Sequence, residues 1–177
     1  MSSNSLIAGI TLAVMALGTP VFAQETESVD GFDDWAVFNP ADPKECYIVS
    51  QPKSSVATRG GSPVSVNRGD IRLFVTTRPS ASITREVSYT GGYPFRTNSV
   101  VTVTIGSESH TMNVGTGNSG EWAWTPSPEN DAALIASMKK GANAEITAVS
   151  ARGTTTKDTF SLIGFSAALD KADELCK

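Results

Sequence analysis

Residues 100–105 read Val-Val-Thr-Val-Thr-Ile and show the clearest periodicity in the chain. Val101, Val103 and Ile105 share one face of an extended segment, and the two threonines between them take the other face. This alternation predicts a half-buried β-strand, with its aliphatic face in a core. The segment ends at a Gly-Ser pair, which is typical of a hairpin turn into another strand.

Short runs of similar composition, separated by Gly, Pro, Asn and Ser, lie on both sides of this strand. Residues 51–67, which are rich in Ser, Thr, Pro and Gly, indicate a loop or an irregular sheet edge instead. Short strands with such turns indicate an antiparallel sandwich or barrel. The predicted strands, about nine in all, are residues 35–38, 46–49, 71–76, 83–89, 100–105, 110–114, 121–124, 144–151 and 158–165.

Two helices interrupt the strands. Ser127 is predicted to cap the first helix, with Pro128 at its first position and Gly141 just after its end, so this helix should cover residues 128–140. The second is predicted over residues 166–176, where apolar side chains recur at helical spacing. The expected fold is therefore all-β with two short helices.

Composition excludes several classes of protein. The 177 residues include 14 Lys and Arg against 18 Asp and Glu, a net charge of −4, and 40% of the residues are hydrophobic. This balance argues against a coiled coil, a disordered polyelectrolyte and a basic nucleic-acid binder. We expect no nucleic acid among the partners.

The residues that usually carry chemistry are sparse. The single histidine, His110, lies in a predicted strand, and no Ser-His-Asp arrangement stands out. The acidic residues lack the spacing of a metal-binding loop. Residues 115–120 match Gly-x-Gly-x-x-Gly, but a predicted strand follows them where dinucleotide binding requires a helix. We therefore expect no catalytic residues, no metal site and no cofactor.

The N-terminus is typical of an exported protein. The first 23 residues carry no charged side chain, and residues 6–17 form an apolar run that is too short to span a bilayer. Val21 and Ala23 suit the −3 and −1 positions of a cleavage site. We predict a signal peptide at residues 1–23 cleaved after Ala23, a flexible lead-in at 24–31, and one domain at 32–177. No later stretch is long enough to cross a membrane, so the mature protein should be periplasmic, secreted or on the cell surface.

The two cysteines fit this export. Cys46 and Cys176 would meet an oxidising environment, where a single disulfide is the expected outcome. Cys46 shares its predicted strand face with Ile48, and the final predicted helix can turn Cys176 inward. The alternative is a pair of free, buried thiols.

Trp122 and Trp124 are the first candidate binding residues. Positions i and i+2 of a strand project to the same side, so the two indoles form one surface. Such a surface could stack against a sugar or another small ligand. The alternative is that the indoles fill the core between two sheets.

Arg68-Gly69-Asp70 is the second candidate. The tripeptide matches the one that many integrin ligands use, and Arg68 and Asp70 would have to be exposed to act in adhesion. The alternative is ordinary turn chemistry before a strand. Arginines are also frequent in the middle of the chain. If the strands that carry these arginines pair, one face of the sheet could bind an acidic partner. The alternative is that the arginines are spread over the exposed surface.

Several separated segments together resemble the invasion-associated locus B family of exported alphaproteobacterial proteins. The resemblance covers essentially the whole chain after residue 23, and its most specific part is Asp-Thr-Phe-Ser-Leu-Ile-Gly-Phe at 158–165. It implies an immunoglobulin-like antiparallel β-sandwich, a periplasmic or surface location and, for founding members, a role in host-cell invasion. The segments that carry it are residues 33–37, 44–50, 68–71, 90–95, 120–124 and 156–165.

These observations lead to one principal expectation and one alternative. We expect a non-enzymatic envelope protein that binds an as yet unidentified protein or surface partner, with a link to host-cell interaction implied by the family. The alternative is a periplasmic module that binds a glycan or small molecule through the Trp122 and Trp124 face. A hydrolase with an unrecognised site is the weakest interpretation.

Overall fold

The computed structural model describes residues 27–177. Within them the chain forms twelve β-strands, two α-helices and two short 3-10 turns. The strands are β1 (Asp30–Phe32), β2 (Trp35–Phe38), β3 (Cys46–Ser50), β4 (Ser54–Arg59), β5 (Ser62–Pro63), β6 (Arg72–Arg78), β7 (Ile83–Thr90), β8 (Val100–Ile105), β9 (Glu108–Val114), β10 (Trp122–Trp124), β11 (Asn143–Val149) and β12 (Thr155–Ser161). The helices are α1 (Pro128–Met138) and α2 (Phe165–Leu175).

All the strands pair antiparallel in the order β1-β2-β3-β6-β7-β10-β9-β8-β11-β12-β4-β5. The sheet folds over so that distant strands face each other. The ring of Tyr89 on β7 lies 6.2 Å from the ring of Phe160 on β12, and the indole nitrogen of Trp35 on β2 donates to the carbonyl of Ser161 at 3.0 Å. The predicted antiparallel sandwich with two short helices is confirmed, with one continuous hydrogen-bonded path joining its layers.

The core lies between the two layers and follows the predicted alternation. On β8, Val101, Val103 and Ile105 are buried, while the two threonines between them are half-exposed. The same alternation on β2, β3, β6 and β11 turns every second residue inward. The largest side chains that are almost fully buried include Trp35, Tyr89, Phe160, Phe165, Ile48, Leu73, Met112, Leu134, Met138, Ile146 and Leu169.

The helices pack against the strands at two places. In α1, Ser127 caps the first turn by accepting from the Asn130 amide at 3.4 Å, as predicted. This helix ends at Met138 rather than at residue 140, because the chain turns at 139–140 and the amide of Gly141 closes onto the Ser137 carbonyl at 3.0 Å. Helix α2 packs on β2 and β3, where the ring of Phe165 meets that of Trp35 at 5.0 Å.

The predicted disulfide is confirmed. Cys46 on β3 and Cys176 after α2 are bonded, with their Cα atoms 5.9 Å apart and 130 residues between them in sequence. The alternative of two free thiols is therefore wrong. In the chain-entropy model, closing a loop of this length contributes about 5 kcal/mol, so the bond fastens the last helix to the sheet.

The edges of the domain differ from expectation. The edge predicted at residues 51–67 contains the strands β4 and β5, and β4 pairs with β12 over five residue pairs. At the other edge β1 pairs from Asp30, two residues before the predicted domain boundary. The predicted signal peptide at 1–23 and the first residues of the lead-in lie outside the described residues. Within residues 27–177, no helix is both long and apolar enough to cross a membrane.

Candidate binding surface

The outer face of the sheet carries five aromatic rings on four strands, which we call the aromatic face. All five side chains are half-buried and alternate with buried residues on the same strand, so the pleat directs them away from the core. The aromatic face consists of Phe38 on β2, Tyr47 on β3, Phe74 on β6, and Trp122 and Trp124 on β10.

The five rings form a continuous row. Phe38 and Tyr47 are cross-strand partners and stack at 4.9 Å with an interplanar angle of 7°. From Tyr47 the row continues to Phe74 at 6.0 Å and from Phe74 to Trp122 at 5.6 Å. Trp122 and Trp124 lie 6.2 Å apart at 22° to each other. All four separations lie within the range of interacting aromatic pairs.

The contact between Phe74 and Trp122 depends on small residues between them. Strand β7 separates β6 from β10, so the two backbones are about 10 Å apart at the usual strand spacing. The residues of β7 on this face are Ser88, opposite Phe74 and Trp124, and Thr90, opposite Trp122. Both are buried although they point outward. The larger rings on either side therefore cover them and meet above β7.

Charged groups border the row. Arg72 lies on the same face, and its guanidinium is 3.6 Å from the carboxylate of Asp70. Arg78 pairs with Glu45 at 3.3 Å. Burial, reinforced by the negative charge of Glu45, raises the pKa of Tyr47, so its hydroxyl stays protonated at neutral pH and can donate to a partner.

The structure shows that the alternative interpretation, in which Trp122 and Trp124 fill the core, is wrong. Only Ala123 between them points into the core, and both indoles lie outside it. Three cavities among residues 27–177 are lined by other residues. The indoles belong to the outer face of the sheet. Sequence reasoning found these two rings because they share one strand, and missed the other three because their proximity depends on strand order.

The adhesion hypothesis for Arg68-Gly69-Asp70 does not fit the structure. An adhesive tripeptide must present both charged side chains, but the Arg68 side chain is only 8% exposed and points inward, while that of Asp70 is 84% exposed. The guanidinium forms a two-pronged ion pair with Asp158 on β12, at 2.7 and 2.6 Å. Arg68 is therefore part of the interior.

The Arg68–Asp158 pair is fully partnered. Asp158 is buried and also accepts from the hydroxyls of Ser55 and Tyr89, while the Arg68 Nε donates to the Gly91 carbonyl at 2.8 Å. Burial alone would lower the pKa of Arg68, but the hydrogen bonds and charge of Asp158 outweigh it and raise that pKa. Burial raises the pKa of Tyr89 strongly, so at neutral pH Arg68 stays charged and the Tyr89 phenol stays neutral.

Three of the segments that carried the family resemblance meet at this pair. Residues 68–71 supply Arg68, residues 90–95 supply the Gly91 carbonyl, and residues 156–165 supply Asp158. The backbones of Gly69 and Gly92 touch, because the Gly69 amide donates to the Gly92 carbonyl at 2.9 Å. A Cβ on Gly92 would lie 2.5 Å from the Gly69 carbonyl oxygen, so a side chain there would force the two segments apart.

One further polar cluster was missed from the sequence. His110 Nε2 lies 2.9 Å from the Ser137 hydroxyl on α1, and that hydroxyl donates to the carboxylate of Glu108. In a Ser-His-Asp triad the acid holds the second nitrogen of the histidine. Here the acid and the histidine Nε2 both converge on the serine, whose oxygen also lies 3.1 Å from the Ala133 carbonyl, a second acceptor for its single proton. The position of the acid differs from that in a Ser-His-Asp triad.

The described residues contain no group of three or more His, Cys, Asp or Glu side chains able to hold a metal ion.

The family resemblance can be tested by comparison. The sequence pattern of the invasion associated locus B (IalB) protein family matches residues 67–173, which is more than half of the chain. The chain belongs to the IalB family.

A solved structure agrees with this assignment. The chain resembles the crystal structure of invasion associated protein B from Bartonella henselae, with a TM-score of 0.54 and 15% sequence identity, over 82% of this chain and 96% of that one. At this identity the likeness concerns the fold. A comparison with curated proteins gives no match.

Proposed function

We propose that this IalB-family chain is an exported, non-enzymatic binding protein that holds a protein partner on its aromatic face. The observation that carries the proposal is the continuous row of five half-exposed rings on a sheet face that neither helix covers. Helix α2 packs on β2 and β3 from the core side, where Phe165 meets the buried Trp35, and α1 lies against β7 and β9. The rings therefore keep surface available for contact.

The energetics favour a partner for such a face. Contiguous apolar surface on a soluble domain commonly marks an interaction site. Aromatic side chains dominate interface hot spots because they bring large, rigid contact area at low cost in entropy. The bordering ion pairs, Arg72 with Asp70 and Arg78 with Glu45, supply the polar rim typical of protein interfaces.

Two features support a location outside the cytoplasm, in the periplasm or at the cell surface. The Cys46–Cys176 disulfide is typical of proteins that fold in oxidising compartments. The apolar run at residues 6–17 is typical of a signal peptide. The family description also makes a link with host-cell invasion part of the proposal.

A glycan is the second candidate ligand. The near-parallel indoles of Trp122 and Trp124 offer a surface on which a sugar ring can stack. The row is open and spans four strands, however, whereas small-ligand sites are usually concave. A protein partner uses the full length of the row, and this favours the first candidate.

The test begins with a photo-crosslinking residue at position 122, introduced in the cells that produce the protein. The crosslinked partner is identified, produced separately and titrated calorimetrically against the wild type, Phe74→Ser and Ile163→Ser. Ile163 is the matched control because it is apolar and 60% exposed but lies outside the aromatic face. We expect Phe74→Ser to weaken binding at least about tenfold and the control to bind like the wild type.

Equal binding by Phe74→Ser and the wild type would contradict the proposal. So would crosslinking at position 122 that yields only glycan, which would favour the second candidate. Thermal melts of each variant check that a lost interaction reflects the surface and not unfolding.

A further inference from the structure

A cavity of about 500 Å³ is lined in part by Arg68, and we call it the arginine cavity. Its walls come from three chain segments, at residues 65–68, 92–94 and 150–156. Arg59 from the end of β4 and Glu121 next to β10 complete the lining.

The floor of the arginine cavity is fixed. Arg68 is locked by Asp158, and its guanidinium carbon lies 5.0 Å from the centre of the Tyr93 ring. The Tyr93 hydroxyl is hydrogen-bonded to Thr156. These contacts hold the floor rigid. The floor is also close to neutral, because the charges of Arg68 and Asp158 cancel. The charge that a ligand meets must therefore come from the rim.

The rim is positively charged. Arg59 and Arg152 line the cavity, and Arg96 lies beside it, since its Nη2 is 3.2 Å from the position of a Cβ on Gly153. Among residues 27–177, none of these three guanidinium groups has a carboxylate within 4.0 Å. Glu121 is the one acidic residue of the lining. Three positive charges against one negative charge make this region basic in a chain whose net charge is −4.

Arg59 is already oriented. Its Nε and Nη2 donate to the Thr154 hydroxyl at 3.2 and 2.7 Å, which leaves Nη1 for another acceptor. Guanidinium groups form paired hydrogen bonds with phosphate oxygens. Arg59 and Arg152 therefore give the cavity two such donor groups for one anionic ligand.

We propose that the arginine cavity binds a phosphate ester, with the phosphate held by Arg59 and Arg152, which line the cavity. The cavity is larger than one phosphate group, so the remainder of the ester lies against Tyr93 and Pro94. Glu121 accepts hydrogen bonds from hydroxyl groups of that remainder. The site uses other residues than the aromatic face, and the two proposals can fail separately.

A phosphate ester can be a soluble sugar phosphate or the headgroup of a phospholipid. The experiment uses a probe for each source. Glucose 6-phosphate is titrated calorimetrically into the disulfide-bonded protein at low ionic strength, with glucose as the neutral control. Co-sedimentation is measured with phosphatidylcholine vesicles with and without phosphatidylglycerol.

We expect glucose 6-phosphate to bind and glucose not to bind. Arg59→Ala and Arg152→Ala should each weaken phosphate binding at least about tenfold. Arg72→Ala is the matched control, since Arg72 lies beside the aromatic face and not in the arginine cavity. We expect this variant to bind glucose 6-phosphate like the wild type. Binding to phosphatidylglycerol vesicles that glucose 6-phosphate displaces would assign the lipid headgroup as the source.

Two results would overturn the proposal. One is the absence of binding to both phosphate probes. The other is unchanged binding in Arg59→Ala and Arg152→Ala. Arg59→Lys, which keeps the charge but loses the guanidinium fork, should retain part of the affinity, and melting curves confirm that each variant is folded. Both rim arginines are exposed, so we expect their substitution to leave the fold intact.

Discussion

The interior and the outer face of the sandwich use two aromatic sets of equal size in opposite ways. Five interior rings are buried: Trp35, Tyr89, Phe95, Phe160 and Phe165. The five rings of the aromatic face lie side by side on the outer face of β2, β3, β6 and β10 and remain partly exposed. Core packing accounts for the interior set. It does not account for the exposed set, and this difference separates residues required for folding from those available for recognition.

The largest effect is expected at Phe160. This ring is fully buried against Tyr89, so Phe160→Ala removes its contacts and leaves a cavity. We expect a loss of about 3–5 kcal/mol in the free energy of unfolding, measured by urea denaturation with the disulfide intact. A loss below about 1 kcal/mol would mean that the interior set is not the core.

A smaller effect is expected from the hydroxyl of Tyr89, a polar group among the interior rings. Tyr89→Phe keeps the ring but removes the hydroxyl that donates to the buried carboxylate of Asp158. Hydrogen bonds to charged groups contribute about 1.5–3 kcal/mol, and we expect a loss in that range by the same measurement. An unchanged unfolding midpoint would show that Arg68 and Ser55 alone satisfy Asp158.

A still smaller effect on stability is expected on the aromatic face. Phe74→Ala removes a ring of the same size as that of Phe160, but one that is only partly buried, and we expect a loss of about 1 kcal/mol or less. Because Phe74 contacts Trp122 at 5.6 Å, the tryptophan fluorescence should change even where stability does not. A loss comparable with that of Phe160→Ala would erase the distinction between the two sets.

The smallest effect is a pH dependence at Asp131, where α1 meets interior strand β7. Burial raises the pKa of this carboxyl, although hydrogen bonds from Thr125 and the Val87 amide oppose the change. A raised pKa in the folded chain means that its contribution to stability is greatest below the ordinary value of about 3.9 and is lost as the pH rises through the raised value.

Asp131→Asn removes this dependence. The difference in unfolding free energy between variant and wild type should therefore shift in favour of the variant as the pH rises from about 3 to about 6. Urea titrations at several pH values measure it. A shift in the opposite direction would contradict the effect of burial.

Much of the fold could be predicted from local patterns. The alternation on β8 and the N-cap Ser127 of α1 act within a few residues, and both predictions are confirmed. The short strands β1 and β5 were missed because their residues carry little apolar pattern, and β4 because five of its six residues are polar or small. Pairing with neighbouring strands fixes these segments, and it is not encoded in their own sequence.

The candidate site shows the same limit. Trp122 and Trp124 were identifiable because two residues on one strand share a side by geometry. Arg68 was misread because its partner, Asp158, lies 90 residues away and nothing near Arg68 indicates that its charge is neutralised inside the protein. The arginine cavity was missed for the same reason, because its walls come from distant segments.

The most direct test of the account compares one residue from each aromatic set for binding and stability together. The protein partner identified by crosslinking at position 122 is titrated against Phe74→Ser and Phe160→Leu under conditions in which both are folded. We predict that Phe74→Ser loses binding at least about tenfold with near-normal stability, whereas Phe160→Leu loses stability and keeps its affinity. The reverse pattern, with full affinity in Phe74→Ser, would contradict the assignment of the aromatic face as the binding surface.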